Sequence, residues 1–523
     1  MKLAALVPVP YGETETCAAS FLESDVEIHQ AVGVNATLSL ASILAEQARR
    51  RPDRTALIDG AQRITFAELW NRARGLIELG VRPGDRVALM CPNVADFPVA
   101  YYAILAAGAV VVPVHPLSTS SEAEYLLGDS QARLLLCHPV FAEAGHPAAA
   151  AAGIPCREPN SLVGQPIVSY VSRQPADPAV VFYTSGTSGR PKGAELSHLN
   201  LVMNATVNAF DANDVRVDDV ALGALPLSHL FSQTVSMNST WRAGATLVLM
   251  SRFDPAEAIR LMVAHDVNTF HGVPTMYVRL IAAARELTEL PKLRLCISGG
   301  ASLPQPVLEA FEETFGAPIL EGYGLSETSP TAAVDQPDFG PRVGTVGHSI
   351  WGVEVEIADP DDPQHVTLLP TGELGEVVIR GRNLFNGYTG NAAATTAAVV
   401  DGWFRTGDLG VRDADGYLRI VDRIKEMIIR GGYNVYPSEV EAALLRHPDI
   451  AAVAVIGIPD DVYGEEICAV VVPSGPITAD QVIAFAREHL AKHKYPRRVE
   501  FVAELPLGPS HKILERKLKE QFA

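Results

Sequence analysis

The chain has 523 residues, a formal net charge of −19, 48% hydrophobic residues and 20% charged residues. A chain of this length is too long for one hydrophobic core, so we expect about two to four folding units. The composition is typical of a globular protein and not of a disordered one. The acidic surplus disfavours nucleic acid as a partner, because no basic excess is present to neutralise phosphates.

The cysteines and the N-terminal segment predict the compartment. Six cysteines are scattered without a C-x-x-C pair, which favours a reducing environment over a disulfide framework. Pro8 and Pro10 interrupt the apolar run that follows Met1 and Lys2, so a signal peptide is not expected. No stretch approaches the ~18 consecutive apolar residues that a membrane-spanning helix needs. We therefore predict a cytoplasmic protein without a transmembrane segment.

Strand-like and helix-like segments alternate after an N-terminal extension, residues 1–36, which shows no periodicity. Helices are expected at Ser39–Arg51 and Ala95–Leu105, and the alanine-rich stretch 144–153 is interpreted as a helix followed by a loop. Short apolar runs predict strands at Arg86–Met90, Ala109–Pro113, Leu134–Cys137 and Ala179–Phe182. This alternation predicts an α/β layered fold that extends to about residue 421.

The run Tyr183–Gly193 carries the strongest functional signal and directly follows a predicted strand. It combines four Ser/Thr hydroxyls, three glycines and a lysine. Glycines let backbone N–H groups approach an anion closely, while hydroxyls and a lysine add donors and positive charge. The spacing of a Walker loop is absent. The run predicts a phosphate-binding loop, and a flexible surface turn is the alternative interpretation.

Three further segments contain candidate ligand groups. Leu225–Phe231 places His229 in an apolar stretch, where a lone histidine is usually a satisfied core residue. Glu321–Thr328 combines glycines and a tyrosine, which suit a flat ligand, with a carboxylate that suits Mg²⁺. Gly402–Gly410 contains Asp408 after a glycine, and a carboxylate there could accept the two hydroxyls of a ribose.

A domain boundary is predicted at 422–425, followed by a small α+β domain over 426–523. Ser438 and Glu441 have the spacing of a capping box that would open a helix. Strands are expected at 451–458, 467–472 and 499–502, and a helix at 478–491. Near the C-terminus, composition alone does not distinguish Lys512 from the other basic residues around it.

In this order the motifs resemble those of the adenylate-forming (ANL) superfamily, and in particular its acyl-CoA synthetase branch. The resemblance covers both predicted domains and implies a large α/β adenylation domain, 37–421, with a small mobile C-terminal α+β domain. It implies ATP and Mg²⁺ as cofactors, with CoA as the acceptor substrate. The implied ATP-binding residues are Thr184, Ser185, Gly186, Thr187, Ser188, Gly189, Lys192, Gly322, Tyr323, Gly324, Ser326, Asp408, Arg423 and Lys512.

The resemblance also implies individual roles. Tyr323 would stack on adenine, Asp408 would bind the ribose, and Glu327 would hold Mg²⁺. Lys425 would be the hinge pivot. The catalytic residues would be Lys512, Glu327, Lys192 and Thr184; Gly431 and Gly432 would border the CoA thiol; and His229, Gly299, Gly300 and Ala301 would line the acyl pocket. One departure from the family is His511, where the family typically has glycine. A histidine constrains the backbone beside Lys512 more than glycine does.

The expected walls of the acyl pocket, 223–244, 267–276 and 293–303, contain no Asp or Glu. An amino acid substrate is therefore disfavoured, because its ammonium group would be buried without a partner. The small and apolar residues of these walls favour a medium- or long-chain fatty acid, with an aryl or arylpropenoic acid as the alternative. CoA is the expected acceptor, and a carrier-protein phosphopantetheine acting in trans is the alternative. A luciferase-like oxidation and a catalytically weak nucleotide-binding module are the remaining possibilities.

Overall fold

The computed structural model describes residues 36–74, 80–161, 169–184, 190–508 and 513–522. The N-terminal extension up to residue 35 lies outside this range. So do the predicted site residues Ser185, Gly186, Thr187, Ser188, Gly189 and Lys512, together with His511. Among the described residues, no helix has both the length and the apolar character that a bilayer crossing requires.

The strands occupy most of the predicted apolar runs. In chain order they are β1 Thr55–Asp59, β2 Gln62–Thr65, β3 Arg86–Met90, β4 Val110–Pro113, β5 Leu134–Cys137, β6 Cys156–Arg157, β7 Pro178–Thr184, β8 Lys192–Ser197, β9 Val220–Gly223, β10 Thr246–Leu249, β11 Thr269–Gly272, β12 Leu295–Gly299, β13 Ile319–Gly324, β14 Thr331–Val334, β15 His348–Ser349, β16 Val353–Ala358, β17 Gly375–Gly381, β18 Gly387–Tyr388, β19 Val399–Val400, β20 Trp403–Arg412, β21 Leu418–Arg423, β22 Ile428–Arg430, β23 Tyr433–Val435, β24 Ile450–Asp460, β25 Gly464–Pro473 and β26 Arg498–Phe501.

The helices lie between these strands. The α-helices are α1 Ser42–Arg50, α2 Phe66–Ala73, α3 Asp96–Ala106, α4 Ser120–Asp129, α5 Ala142–Ala151, α6 His198–Val207, α7 Ser239–Ala243, α8 Pro255–Ala264, α9 Pro274–Ala284, α10 Gln305–Phe315, α11 Ala392–Ala398, α12 Pro437–Leu444, α13 Ala479–His489 and α14 Glu515–Phe522. Two π-helical segments are Asn208–Ala212 and Ser232–Asn238, and 3₁₀ turns are Pro139–Phe141, Pro159–Ser161 and Ser326–Thr328.

Two large sheets with parallel centres build the N-terminal part within the described residues. One has the order β15-β14-β13-β12-β11-β9-β10-β1-β2 and the other β18-β8-β7-β4-β3-β5-β6. Strands β4 and β5 are buried along their whole length. Parallel strands that are covered on both faces need apolar residues at every position, so they occur in the sequence as continuous apolar runs. This explains why the sequence pattern located them. The predicted α/β fold is confirmed.

Two smaller sheets follow along the chain. The antiparallel sheet β16-β17-β20-β19, extended by β21, carries the predicted ribose motif on β20. The C-terminal sheet has the order β23-β22-β25-β24, with β26 added parallel to β25. One of its faces packs with α12 and α13 in a hydrophobic core, and Leu518 of α14 is buried on the other. The predicted small α+β domain is therefore present.

The predicted capping box at Ser438 is wrong. Helix α12 begins at Pro437, and no side chain caps its N-terminus. The Ser438 hydroxyl donates to the Val421 carbonyl oxygen at 2.7 Å, and a Glu441 carboxylate oxygen accepts from the Val455 N–H at 2.8 Å. Both side chains make tertiary contacts in place of the local cap, which explains the failure of the sequence pattern.

Candidate active site

A β-hairpin carries the predicted phosphate loop. Strands β7 and β8 pair in antiparallel register with Thr184 opposite Lys192, so these two residues stand at the base of the loop. A Cβ at Gly193 would lie 2.9 Å from Val181 Cγ1, so a side chain at the exit of the loop would displace its neighbours. From the neighbouring helix α4, the Tyr125 hydroxyl donates to the Pro191 carbonyl oxygen at 2.9 Å and fixes the second arm of the hairpin.

The predicted adenine motif lies beside the predicted acyl pocket. Strands β12 and β13 are parallel neighbours with Gly299 opposite Gly322, so the two motifs share one edge of the nine-stranded sheet. A Cβ at Gly324 would lie 1.8 Å from the Pro330 carbonyl oxygen, so no other residue fits there. A Cβ at Gly299 would lie 3.3 Å from Phe231 Cζ, which places this phenyl ring against the glycine.

Three predicted nucleotide-binding residues meet at the third sheet. Asp408, which is 5% exposed, pairs across β20 and β21 with Arg423, and the Arg423 Nε lies 3.3 Å from Asp408 Oδ1. The Tyr323 hydroxyl donates to Asp408 Oδ2 at 2.6 Å. Burial and the adjacent Asp408 carboxylate raise the pKa of Tyr323, so its hydroxyl stays a donor. The adenine and ribose motifs, distant in sequence, thus form one surface.

The predicted metal carboxylate is held by a residue that the sequence analysis missed. Glu327, in the turn with Ser326, is 7% exposed, and its Oε1 accepts from the Tyr388 hydroxyl at 2.7 Å. Lys192 Nζ lies 5.2 Å from the centroid of the Tyr388 ring. Since β18 has only two residues, no strand pattern could have indicated Tyr388.

The predicted acyl-pocket residues differ in their exposure to solvent. Gly299 is buried, whereas Gly300 and Ala301 are exposed beyond the end of β12. His229 is half-buried, and its ring meets that of Phe182 edge-on with 5.6 Å between the centroids. Phe182 belongs to the strand that leads into the phosphate loop. The histidine, which belongs to the predicted pocket wall 223–244, therefore packs against the phosphate-loop strand.

The hinge segment connects the third sheet with the C-terminal domain. The Ile424 N–H donates to the Gly407 carbonyl oxygen at 2.9 Å, directly before the exposed Lys425. Gly431 and Gly432 form the exposed β22–β23 turn with φ of 57° and 81°, in the left-handed region that favours glycine.

Carboxyl groups converge where the hinge meets the C-terminal domain. Burial, and after it the neighbouring Glu515, Asp422 and Glu426, raise the pKa of Glu441 to about 8, against the hydrogen bond from the Val455 N–H, which lowers it. Burial likewise raises the pKa of Glu515 to about 7, with Glu426 the next cause. Asp422 lies in the predicted hinge, Glu426 directly follows it, and Glu441 and Glu515 belong to α12 and α14. Bringing them together favours the protonated, neutral forms of Glu441 and Glu515.

This carboxyl cluster predicts a pH-dependent stability of the C-terminal domain. The raised folded-state pKa values mean that the stabilisation is complete below about pH 4.5 and is lost as the pH rises through about 7 to 8. The free energy of unfolding of the domain should fall by roughly 2 to 4 kcal/mol between pH 6 and pH 8. Urea unfolding at the two pH values, followed by circular dichroism, measures this change. Glu441→Gln should reduce the fall, and an equal fall in this variant would contradict the assignment.

The chemistry of the site suits a magnesium nucleotide. The described residues contain no cluster of three or more His, Cys, Asp or Glu side chains that could hold a metal by itself. Mg²⁺ in nucleotide enzymes is commonly held by one or two carboxylates together with substrate phosphates, so Glu327, whose partner Tyr388 also has Lys192 over its ring, fits this role. Asp408, an acceptor-only group at the end of the same surface, suits a pair of hydroxyls.

The comparisons with known proteins agree with this geometry. Residues 44–389 match the AMP-binding enzyme family, and residues 439–512 match the AMP-binding enzyme C-terminal domain. A feruloyl-CoA synthase from an Amycolatopsis species is 38% identical over 495 residues, which cover 92% of this chain and 99% of the relative. A long-chain-fatty-acid–CoA ligase from Bacillus subtilis is 32% identical, with 92% and 94% covered.

A solved structure extends the similarity to three dimensions. The anthranilate CoA ligase AuaEII in complex with anthranoyl-AMP matches this chain with a TM-score of 0.87 at 27% identity. The match covers 94% of this chain and 98% of the other. Fold, site and relatives together define an adenylate-forming enzyme.

The chain belongs to the AMP-binding enzyme family, in the acyl-CoA synthetase branch of the adenylate-forming superfamily. It is an acid–thiol ligase that uses ATP and Mg²⁺ and has CoA as its acceptor substrate.

Proposed function

We propose that the enzyme activates an aromatic acid of the arylpropenoic type to its adenylate and then to its CoA thioester. The feruloyl-CoA synthase relative supports this substrate class, and the site itself carries the argument. The π-helical segment Ser232–Asn238 belongs to the expected pocket wall, and all its residues are buried. Most of them are polar, which suits a compact, substituted ring better than a long hydrocarbon tail.

Gln233 is the observation that carries the proposal. Its side chain is 0% exposed, and neither amide atom has a hydrogen-bond partner among the described residues. The hydroxyl of the adjacent Thr234 is buried and unpartnered as well. A buried amide without partners costs roughly 1–3 kcal/mol, so such groups point to a ligand or water that completes them. A phenolic hydroxyl or methoxy group would supply those partners.

The lack of charged partners in the pocket walls favours a substrate acid that carries no charge besides its carboxylate. The two arginines of the walls face elsewhere, since Arg242 Nε donates to the Thr206 hydroxyl and Arg294 is paired with Asp219. The buried His271 bonds to Ser236 at 3.1 Å, and burial lowers its pKa to about 4, which keeps it neutral. The walls therefore provide no charge for an ammonium group or a second carboxylate.

A medium- or long-chain fatty acid, the first expectation from the sequence, is the second candidate. The long-chain-fatty-acid–CoA ligase from Bacillus subtilis favours it, as do the small residues Gly299, Gly300 and Ala301 at the mouth of the pocket. The two candidates differ in one property of the site. Gln233 and Thr234 lack side-chain partners, and a fatty acid would leave them so, whereas a polar ring substituent would bond to them.

For the reaction itself we propose that the residues act as the resemblance implies. The substrate carboxylate attacks the α-phosphate of ATP in line and pyrophosphate leaves, so catalysis consists of positioning and charge stabilisation. Thr184, Lys192 and the loop between them hold the β- and γ-phosphates, and Lys512 stabilises the reacting α-phosphate. Mg²⁺ on Glu327 would supply neutralisation of the triphosphate charge.

The second half-reaction uses the other end of the C-terminal domain. The CoA thiol attacks the acyl adenylate and AMP leaves. We propose that the small domain, 426–523, rotates about the hinge at 422–425, with Lys425 as its pivot, and brings Gly431 and Gly432 to the thiol. Hinge rotation of this kind is an ordinary conformational step in enzymes. We further propose a cytoplasmic location, which the free thiols of the described cysteines support.

The substrate proposal is tested with pure protein, ATP, Mg²⁺, CoA and a panel of arylpropenoic, benzoic and C8–C16 fatty acids, with products identified by mass spectrometry. An arylpropenoyl-CoA together with AMP is the expected product. Fatty acyl-CoA as the dominant product would support the second candidate. Acyl adenylate that accumulates without any acyl-CoA would instead indicate a carrier protein as the thiol acceptor.

Gln233→Leu should change substrate discrimination. We expect the preference for 4-hydroxycinnamic over cinnamic acid, measured as the ratio of kcat/KM values, to fall about tenfold, which corresponds to one lost hydrogen bond. Activity with cinnamic acid and thermal stability should be retained, because leucine has a similar shape and removes an unpartnered amide. Gln305→Leu, at an exposed position of α10, is the control. An unchanged ratio in Gln233→Leu would contradict the role of this residue.

A further inference from the structure

Tyr388 lies where the phosphate loop and the metal motif meet. It ends the two-residue strand β18, which pairs with β8 so that Tyr388 stands opposite Ala194. The next residue, Thr389, donates its N–H to the Gly193 carbonyl oxygen at 2.7 Å. The backbone of Tyr388 is therefore fixed against the strand that leaves the phosphate loop, two residues from Lys192.

The backbone of Tyr388 is also fixed on its other side. Its N–H donates to the Thr395 hydroxyl at 2.9 Å, and this hydroxyl donates to the Asn391 carbonyl oxygen at 3.1 Å. Phe385, three residues before Tyr388, donates its N–H to the Glu327 carbonyl oxygen at 2.9 Å. The tyrosine ring is thus aimed by three separate backbone and hydroxyl contacts and not by its own packing alone.

The Tyr388 side chain contacts both functional groups at once. Its hydroxyl donates to Glu327 Oε1 at 2.7 Å, while Lys192 Nζ lies 5.2 Å from its ring centroid. A phenol that occupies one carboxylate oxygen restricts the rotation of the carboxylate and leaves Oε2 for a further ligand. The ring face at the same time attracts the ammonium group and limits where the lysine can lie.

We propose that Tyr388 is a positioning residue that orients Glu327 toward the magnesium–triphosphate and holds Lys192 on the same side of it. This inference rests on the metal-binding role proposed for Glu327. The hydroxyl and the ring have separable tasks, since the hydroxyl acts on the carboxylate and the ring acts on the lysine. A merely structural tyrosine would act through its ring contacts alone, such as the one with Phe385 at 4.8 Å.

Tyr388→Phe separates these roles because it keeps the ring and removes only the hydroxyl. The measurement is calorimetric titration of ATP at a series of Mg²⁺ concentrations without acid or CoA, so no turnover is involved. We expect the Mg²⁺ concentration for half-maximal ATP affinity to rise about 10-fold, in the range found for residues that orient a metal ligand. ATP affinity in the absence of Mg²⁺ should stay within about twofold, since the lysine and the ring remain.

Two further variants make the result specific. Tyr417→Phe removes a hydroxyl that bonds to the Phe339 and Gly340 carbonyl oxygens, away from Glu327, and should leave the Mg²⁺ dependence unchanged. The double variant Glu327→Gln with Tyr388→Phe should need the same Mg²⁺ concentration for half-maximal ATP affinity as Glu327→Gln alone, because the hydroxyl acts through the carboxylate.

The outcomes distinguish this inference from the proposed role of Glu327. If Glu327→Gln shifts the Mg²⁺ dependence and Tyr388→Phe does not, the positioning role of Tyr388 is wrong and the metal assignment stands. If Glu327→Gln leaves the Mg²⁺ dependence as in the wild type, the metal assignment itself fails, and the inference about Tyr388 fails with it.

Discussion

Lys512→Ala is expected to lower the rate of acyl adenylate formation by about 10²–10³-fold, the range for loss of one charge-stabilising donor at a reacting centre. The conversion of presynthesised acyl adenylate and CoA to the thioester should stay within about twofold of the wild type. The first half-reaction develops charge on the α-phosphate, whereas the second needs only the thiol and the adenylate. Stopped assays of pyrophosphate release and of thioester formation measure the two steps separately.

Lys512 itself lies outside the described residues, so its role is the proposal that these two assays test. Lys517→Ala, at an exposed position of α14, is the matched control and should leave both steps unchanged. An equal loss of both half-reactions in Lys512→Ala would contradict the division of labour.

Asp408→Asn should lower kcat/KM for ATP by about 10²-fold, on the order of 3 kcal/mol for hydrogen bonds to a charged acceptor. The carboxylate accepts from Tyr323 and pairs with Arg423, and in the proposed role its oxygens accept the ribose hydroxyls. An amide offers one acceptor in place of two, and its NH₂ group faces donors. Steady-state kinetics with ATP and 2′-deoxy-ATP measure the effect.

The analogue identifies which contact is lost. The wild type should discriminate against 2′-deoxy-ATP, and the Asp408→Asn variant should discriminate far less, because both nucleotides lack the same partner. Asp413→Asn removes a carboxylate that pairs with Arg342 after β20 and is the control. If Asp408→Asn rejects 2′-deoxy-ATP as strongly as the wild type does, the carboxylate does not bind the ribose 2′-hydroxyl.

The sequence predicted the elements whose periodicity is strong. Strands Arg86–Met90 and Leu134–Cys137 occur at the predicted bounds, because buried parallel strands are continuous apolar runs. The first helix begins at Ser42 and not at Ser39, a shift typical of helix ends. The capping box at Ser438 failed because its side chains bond to residues distant in sequence. Local patterns contain no information about such partners.

The candidate site divides in the same way. Asp408, Glu327 and Lys192 were predicted because each lies in a motif with a recognisable order of residue types. Tyr388 and Gln233 were not, since their significance lies in contacts that the fold creates or leaves open. Tyr388 bonds to a residue 61 positions away in the chain, and Gln233 is notable because it is buried without partners for its side chain. Neither property can be deduced from one sequence.

The central claim concerns the acid, and a competition experiment tests it most directly. Equal concentrations of ferulic acid and dodecanoic acid are incubated together with limiting enzyme, ATP, Mg²⁺ and CoA, and the two thioesters are quantified by mass spectrometry. Their ratio equals the ratio of the two kcat/KM values, so concentration and enzyme quality cancel. We expect feruloyl-CoA to exceed dodecanoyl-CoA at least about tenfold, which corresponds to roughly 1.4 kcal/mol in the transition state. Predominance of dodecanoyl-CoA would contradict the proposed substrate class and would support a fatty acid as the substrate.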